Sequence, residues 1–349
     1  MKRIALLLII LVLSQALFAQ EEGSDMVSAQ EESAVTAAPP AANSITSSRT
    51  LDVQLSSLPE AKLIFYQHWK IPALRGDGML VKGNNLKLSV GAEVTPISMN
   101  ALGKVVLTPI AFLQVIAGGR VGSGWPLDLF GMSLYGIGIN ERVTPANPGD
   151  PASAYNGKGF DGWLYGAYLG GMAQMDFGLV LPGNKDWNHV VFQSYHEINY
   201  KGYCRASGGE SWYYEHDKGE NRNGFNYYGN ILLGYQMPIL LDTIAVLTEM
   251  DKYLYDTPNR SVWGDDLFRW NIAAVLNFGF TKKIDVKVIT QFRTGRNFTD
   301  NGGLEENTND KAKKDALKAV YYQDRHLDTA NPRTLHFYRV ALLGTFKLP

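Results

Sequence analysis

The sequence predicts an all-β protein, a single antiparallel, up-and-down transmembrane β-barrel of about 12 strands, with about 10 to 14 left open. Three observations lead to this prediction. Apolar and polar residues alternate with period two over long segments, short and long connections alternate along the chain, and glycine and aromatic residues are abundant. The chain has 35 Gly, 18 Tyr and 15 Phe but only 19% charged residues. With a mean hydropathy of −0.14, this composition favours alternating strands over apolar helices.

The N-terminal residues 1–19 predict a cleaved secretory signal peptide. Lys2 and Arg3 precede an apolar run over residues 4–13, and a small residue, Ala19, stands before the expected cut. The apolar run is about ten residues long, whereas a membrane-spanning helix needs about 20. We therefore expect the mature chain to be exported and to reside in the cell outer membrane.

The next segment, residues 20–50, predicts a disordered periplasmic tether. It is rich in Ala, Ser, Glu and Pro and contains no aromatic residue, so it cannot bury enough apolar surface to fold. The tether would either contact the cell wall or serve only as a spacer. The barrel is expected to occupy residues 51–349.

Long alternating segments follow, and the clearest is 84–96, where Leu86, Leu88 and Val90 alternate with Lys87 and Ser89. The strands run to ten or more residues, whereas globular strands have about five or six and membrane-crossing strands about nine to eleven. Length therefore favours a membrane barrel. The candidate strands are 52–58, 61–70, 84–96, 104–120, 127–141, 161–178, 187–202, 223–237, 242–255, 265–280, 283–297 and 334–348.

The connections between these strands support the same architecture. Short ones fall at 182–185, 237–240 and 281–283, and long polar ones at 141–160, 203–222, 256–265 and 298–333. Outer-membrane barrels alternate short periplasmic turns with long external loops. Periplasmic termini require an even strand number, and a closed ring leaves no unpaired backbone group in lipid.

Aromatic residues near the strand ends predict a headgroup-level girdle. The alternative is the ordinary core of a soluble β-sandwich. The residues are Trp163, Tyr165, Tyr227, Tyr228, Tyr253, Trp270 and Phe346.

Motifs for catalysis or cofactor binding are weak, and we predict neither an enzyme nor a cofactor. His196 and Glu197 are adjacent on a predicted strand and should face opposite sides, which disfavours a shared metal ion. The balance of 33 Lys and Arg against 34 Asp and Glu disfavours nucleic-acid binding. The single cysteine, Cys204, excludes an internal disulfide.

The best candidate functional surface is the barrel lumen. Charged residues on the polar faces of several strands would either line a water-filled path or pair with one another and close a narrow barrel. The candidate lumen-lining residues are Glu197, Glu249, Asp251, Lys287, Arg293 and Arg339.

Taken together, the signal peptide, the alternating strands and the final strand with Tyr338, Val340, Leu342 and Phe346 resemble bacterial outer-membrane β-barrel proteins, in a spirochaete-like style. The resemblance implies outer-membrane lipid and the barrel-assembly machinery as partners, and small solutes as possible cargo. The expected function is a porin-like passive channel. A closed barrel with a structural or adhesive role in its external loops is one alternative, and a soluble secreted β protein is another.

Overall fold

The computed structural model describes residues 44–58, 60–129, 132–134, 136–139, 159–179, 183–184, 186–207, 210, 212–215, 221–254, 264, 267–301 and 325–349. The predicted signal peptide and most of the predicted tether lie outside these residues. Within the described ranges, no helix is long and apolar enough to cross a membrane.

Twelve antiparallel strands close into one barrel, which confirms the predicted fold class. Each strand pairs with its neighbours in sequence, and the first pairs with the last, from Arg49 opposite Leu348 to Ser56 opposite Ala341. The barrel strands are β1 (Thr46–Ser56), β2 (Ala61–Pro72), β3 (Asn85–Val94), β4 (Ser98–Ile110), β5 (Leu113–Gly124), β6 (Leu164–Asp176), β7 (His189–Tyr203), β8 (Gly224–Gln236), β9 (Leu241–Tyr253), β10 (Arg269–Thr281), β11 (Ile284–Arg296) and β12 (Arg333–Leu348).

The structure corrects two of the predicted strands. The segment 104–120 is not one strand, because β4 and β5 form a hairpin that turns at Ala111 and Phe112. These two residues carry no Gly or Pro turn signal, so the apolar run across them looks continuous in sequence. The segment 127–141 is not a barrel strand. The two errors compensate, and the count of twelve stands.

Residues 127–139 instead form short strands outside the barrel sheet. Leu127–Leu129 pairs with Met132–Leu134, and Ile137–Ile139 pairs with Trp212–Tyr214, which lies between β7 and β8. We call the second pair the mouth ribbon. A further short pair joins Phe298–Asn301 to Arg325–Leu327.

The two rims of the barrel carry different connections. The rim where β1 begins and β12 ends, here the terminal rim, carries the connections 73–84, 111–112, 177–188, 237–240 and 282–283. The opposite loop rim carries 57–60, 95–97, 125–163, 204–223, 254–268 and 297–332. All the long connections predicted from sequence join strand ends at the loop rim. β1 begins at Thr46, five residues before the predicted start of the barrel.

The outward face has an aliphatic band between two aromatic belts. Near the loop rim, Tyr165 packs on Tyr200 and Tyr200 on Phe225, with ring centroids 6.1 and 5.1 Å apart. Tyr235 lies near the terminal rim on the same strand as Phe225. Ten residues at about 3.3 Å each, tilted by about 40°, separate these two rings by about 25 Å, the height of the apolar band in transmembrane barrels. Exposed residues between them include Val90, Val115, Leu169, Ile231, Leu233, Ile244, Val246 and Leu342.

Two of the predicted girdle residues lie elsewhere. Tyr228 and Tyr253 are buried and share the inward-facing positions of β8 and β9. Tyr165, Tyr227 and Trp270 take outward positions. Strand parity decides between girdle and lumen, and the sequence prediction used nearness to a strand end instead.

Inside the barrel, apolar side chains fill much of the space toward the terminal rim. One cluster lies on β7 to β12 and includes Val191, Leu232, Leu247 and Ile289. A second lies on β4 to β8 and comprises Val106, Ile116, Met172, Tyr195 and Tyr228, with Tyr168 packed against it. The wall of β1 to β3 carries polar groups at this level, including His68 and Ser89, whose side chains are hydrogen-bonded at 2.8 Å.

Candidate functional site

All six charged residues proposed from sequence to line the lumen occupy inward-facing positions. Glu249, Asp251, Arg293 and Arg339 are buried, and Glu197 and Lys287 are partly exposed. They come from β7, β9, β11 and β12, so they share one side of the barrel. Their surroundings differ enough to separate them into paired groups and cavity-lining groups.

Arg339 is the centre of a buried polar network. Its Nη1 donates to Glu60 Oε2 at 2.8 Å and its Nε to Gln291 Oε1 at 2.7 Å. Gln291 Nε2 in turn donates to Glu249 Oε2 at 2.6 Å. The Arg339 side chain is only 1% exposed, so this ion pair is shielded from water.

The network continues from Glu249 across the wall. Glu249 Oε1 accepts from the Tyr228 hydroxyl at 2.9 Å, and Glu249 Oε2 accepts from Asn271 at 3.3 Å. Asn230 donates to the Tyr228 hydroxyl at 3.2 Å. For Glu249 and Arg339, the arrangement is therefore the one in which lumen charges pair with other groups and fill space.

The other candidates lie beside the open part of the lumen. Asp251 binds Arg269, whose Nε is 2.6 Å from Asp251 Oδ2. Glu197 accepts from the Tyr195 hydroxyl and, at 3.0 Å, from Asn199. The Arg293 guanidinium lies 5.2 Å from the centre of the Tyr338 ring. Lys287 takes an inward position on β11, opposite Asn277 and Leu343.

The mouth ribbon enters the lumen at the loop rim. Trp212 and Tyr213 are each 1% exposed, and Ile137, Leu164, Tyr203, Trp212 and Tyr214 form one apolar cluster. The cluster joins the ribbon to the loop-rim ends of β6 and β7. A loop element folded into the barrel in this way narrows the opening.

Polar contacts attach the ribbon to the opposite wall. Glu215, directly after the ribbon, lies 3.2 Å from Lys62 Nζ and accepts from Ser98 Oγ at 2.5 Å. The Tyr214 hydroxyl accepts from Asn100 Nδ2 at 2.7 Å. Lys62, on β2, also lies 3.7 Å from Glu60, so the attachment is continuous with the Arg339 network. The sequence analysis treated 203–222 as an external loop and had no signal for this inward contact.

A cavity of about 220 Å³ remains in the lumen, mainly against β2 to β7. Inward-facing glycines keep this wall free of side chains: Tyr66 lies over Gly91 and Tyr168 over Gly118, where a Cβ would collide. Three acidic and five cationic side chains line the cavity. They are Glu93, Glu197, Asp251, Lys87, Lys104, Arg120, Lys201 and Arg269.

The sequence analysis missed four of these cations: Lys87, Lys104, Arg120 and Lys201. Lys87 was visible on the polar face of 84–96 but was not singled out. The parity of Lys104 and Arg120 was hidden, because their two strands were predicted as one. Lys201 stands next to the predicted external loop.

His196 and Glu197 point to opposite faces of β7. His196 faces outward, where its Nδ1 is 2.7 Å from the Tyr227 hydroxyl, and Glu197 faces the cavity. No group of three or more potential metal ligands is present among the described residues. His216 and Asp217, which the sequence offered as further ligands, lie outside the described ranges.

The fold and the lumen together define the class: a twelve-stranded antiparallel barrel of the transmembrane type, with a partly filled interior and a loop ribbon in one mouth. No family model and no curated protein matches the sequence.

Several solved barrels are similar in structure at low identity. The KdgM porin is 9% identical, with 87% of this chain and 100% of that chain covered and a TM-score of 0.36. The NanC porin is 12% identical, with 85% and 100% covered and a TM-score of 0.37. CdiB from Acinetobacter baumannii is 8% identical, with 87% and 60% covered and a TM-score of 0.31. TM-scores this low establish no common function.

Proposed function

We propose that this protein is a bacterial outer-membrane barrel that lets small solutes pass passively through its lumen. The observation that carries the proposal is the polar cavity of about 220 Å³ inside the barrel, lined by charged and tyrosine side chains. Charged groups that only stabilised the fold would be paired and shielded, as Arg339 and Glu60 are. The groups around the cavity are instead partly exposed.

Placement in a membrane is supported by the outward face. Large aliphatic side chains such as Leu169, Leu233 and Val246 are 55–61% exposed, an arrangement that a soluble β protein would avoid. In this proposal the terminal rim is periplasmic, the loop rim is external, and outer-membrane lipid contacts the aliphatic band. Export by the predicted signal peptide and insertion by the barrel-assembly machinery belong to the same proposal.

Conductance in planar bilayers tests the channel function. Refolded protein should insert and produce discrete conductance steps. Heat-modifiable mobility on a semi-native gel must show in the same sample that the barrel is folded. A folded, inserted barrel that never conducts would refute the channel.

A second candidate is a closed barrel with a structural or adhesive role at its external surface. The specific observation in its favour is the mouth ribbon, whose Trp212 and Tyr213 are fully packed inside the loop rim. This candidate predicts a folded barrel without conductance and protease-accessible loops on intact cells.

A further inference from the structure

We propose that the open half of the lumen selects small organic anions, through a line of four cations that we call the basic ladder: Lys87, Lys104, Arg120 and Lys201. This inference rests on the proposed channel function and names the charge class of its solutes. The ladder uses none of the buried groups of the Arg339 network.

The strand register places the ladder residues next to one another. Lys87 on β3 lies opposite Val106, two residues from Lys104 on β4. Lys104 lies opposite Gly118, two residues from Arg120 on β5. All three take inward positions, and diagonal neighbours of this kind are about 7–8 Å apart.

Lys201 continues the line on β7. Arg120 and Lys201 both lie opposite Gly166 on β6, one on each side. Because Gly166 has no side chain, nothing on β6 stands between the two cations at this level. Their stems lean toward the mouth ribbon, with the Arg120 guanidinium 5.4 Å from the Tyr214 ring and Lys201 Nζ 6.0 Å from the Trp212 ring.

The ladder also runs along the barrel axis. Lys87 lies close to the terminal rim, Lys104 near the middle, and Arg120 and Lys201 close to the loop rim. A solute crossing the open half therefore meets a cation at each level. Spaced sites of one charge sign let an ion move from site to site without being held at one of them.

Acidic groups at the same cavity do not balance the ladder. Asp251 is bound to Arg269, and Glu93 accepts from Asn100 and lies 3.9 Å from Lys62. Glu197 is the remaining acid of the lining. In a narrow lumen with apolar walls, an excess of cationic groups concentrates anions and repels cations.

The size of the cavity limits the solute. About 220 Å³ corresponds to about seven water molecules at about 30 Å³ each. The ladder therefore fits a small carboxylate better than a polymer. We use glucuronate, glucose and glucosamine as probes, because they have similar rings and charges of −1, 0 and +1 at neutral pH.

Two measurements on the folded full barrel test the ladder. In bilayers with a KCl gradient, chloride should be more permeant than potassium, and in liposome swelling glucuronate should enter faster than glucose and glucose faster than glucosamine. The double variant Lys87→Gln/Lys104→Gln should lower the chloride-to-potassium ratio by about threefold per lysine, the Coulomb effect of one charge over about 7 Å in water. The control Lys252→Gln should leave it unchanged, because Lys252 alternates with the inward-facing Asp251 and Tyr253 and lies over Phe268.

The outcomes separate the ladder from the channel function. A conducting barrel that prefers potassium, or one whose selectivity is the same in the double variant, would overturn the ladder and leave the channel intact. If the folded barrel does not conduct, the channel proposal fails, and calorimetric titration with millimolar glucuronate and glucose decides the ladder. Glucuronate binding that is lost in the double variant supports it, and equal or absent binding of both sugars overturns it.

Discussion

Replacing Arg339 with methionine should destabilise the barrel strongly, although Arg339 lies far from the lipid and from both rims. The guanidinium is 2.8 Å from Glu60 and 2.7 Å from Gln291, and both side chains of the ion pair are at most 2% exposed. Methionine has a similar length but carries no charge. The substitution therefore leaves Glu60 buried without its closest cation.

Removal of one partner from a buried ion pair costs about 3–5 kcal/mol. Lys62 Nζ remains 3.7 Å from Glu60 and compensates part of this loss, so we expect about 3 kcal/mol for Arg339→Met. At about 1.4 kcal/mol per tenfold change in an equilibrium constant, the folded-to-unfolded ratio falls about a hundredfold. The double variant Arg339→Met/Glu60→Gln should recover part of the loss, because it removes the uncompensated charge.

Urea titration of the barrel in phospholipid vesicles, followed by tryptophan fluorescence and heat-modifiable mobility, measures this loss. Lys347→Met is the matched control. Lys347 lies 3.5 Å from Asp285 in an exposed ion pair, and such pairs contribute about 0–1 kcal/mol. If Arg339→Met costs less than about 1 kcal/mol, or no more than Lys347→Met, the buried network does not stabilise the fold as argued here.

Three further predictions concern the mouth, the lipid face and the orientation. Glu215→Gln removes the charge 3.2 Å from Lys62 and should raise single-channel conductance by loosening the mouth ribbon, with no change in heat-modifiable mobility; unchanged conductance would show that the ribbon does not limit flow. Ile231→Arg, in the middle of the aliphatic band, should cost about 2–4 kcal/mol in urea titration, and Tyr235→Arg, in an aromatic belt, about 0–1 kcal/mol; equal costs would contradict the assigned band. Cys204 is exposed beside the loop rim and is the single cysteine of the chain, so a membrane-impermeant maleimide should label it on intact cells, and labelling only after outer-membrane permeabilisation would reverse the orientation.

Local pattern was enough to predict most strands. Alternation at 84–96 and 334–348 matches β3 and β12 within a few residues, because an inward or outward position repeats every second residue whatever the partner strand is. The β4–β5 hairpin was missed for the same local reason. Ala111 and Phe112 continue an apolar run, and only pairing between Leu107 and Val115 reveals the turn.

The lumen was less predictable than the wall. Parity placed Glu249 and Arg339 on inward positions, but it could not say that they would be joined through Gln291, or that Trp212 and Tyr214 would fold into the mouth. The aromatic residues show the same limit. Tyr227 and Tyr228 are neighbours in sequence, and they lie on opposite sides of the barrel wall.

The sequence by itself determined that the chain makes long antiparallel strands with one apolar face, about twelve of them, with the long connections at one rim. These properties follow from period-two alternation and connection length, which are local. Only the tertiary structure decided which charges are paired and which line the cavity. Arg339 and Glu60 are 279 residues apart in the chain, and ring closure and strand register bring them together. The same closure sets Lys87, Lys104, Arg120 and Lys201 along one wall, because the stagger between strands turns separate inward positions into a continuous line.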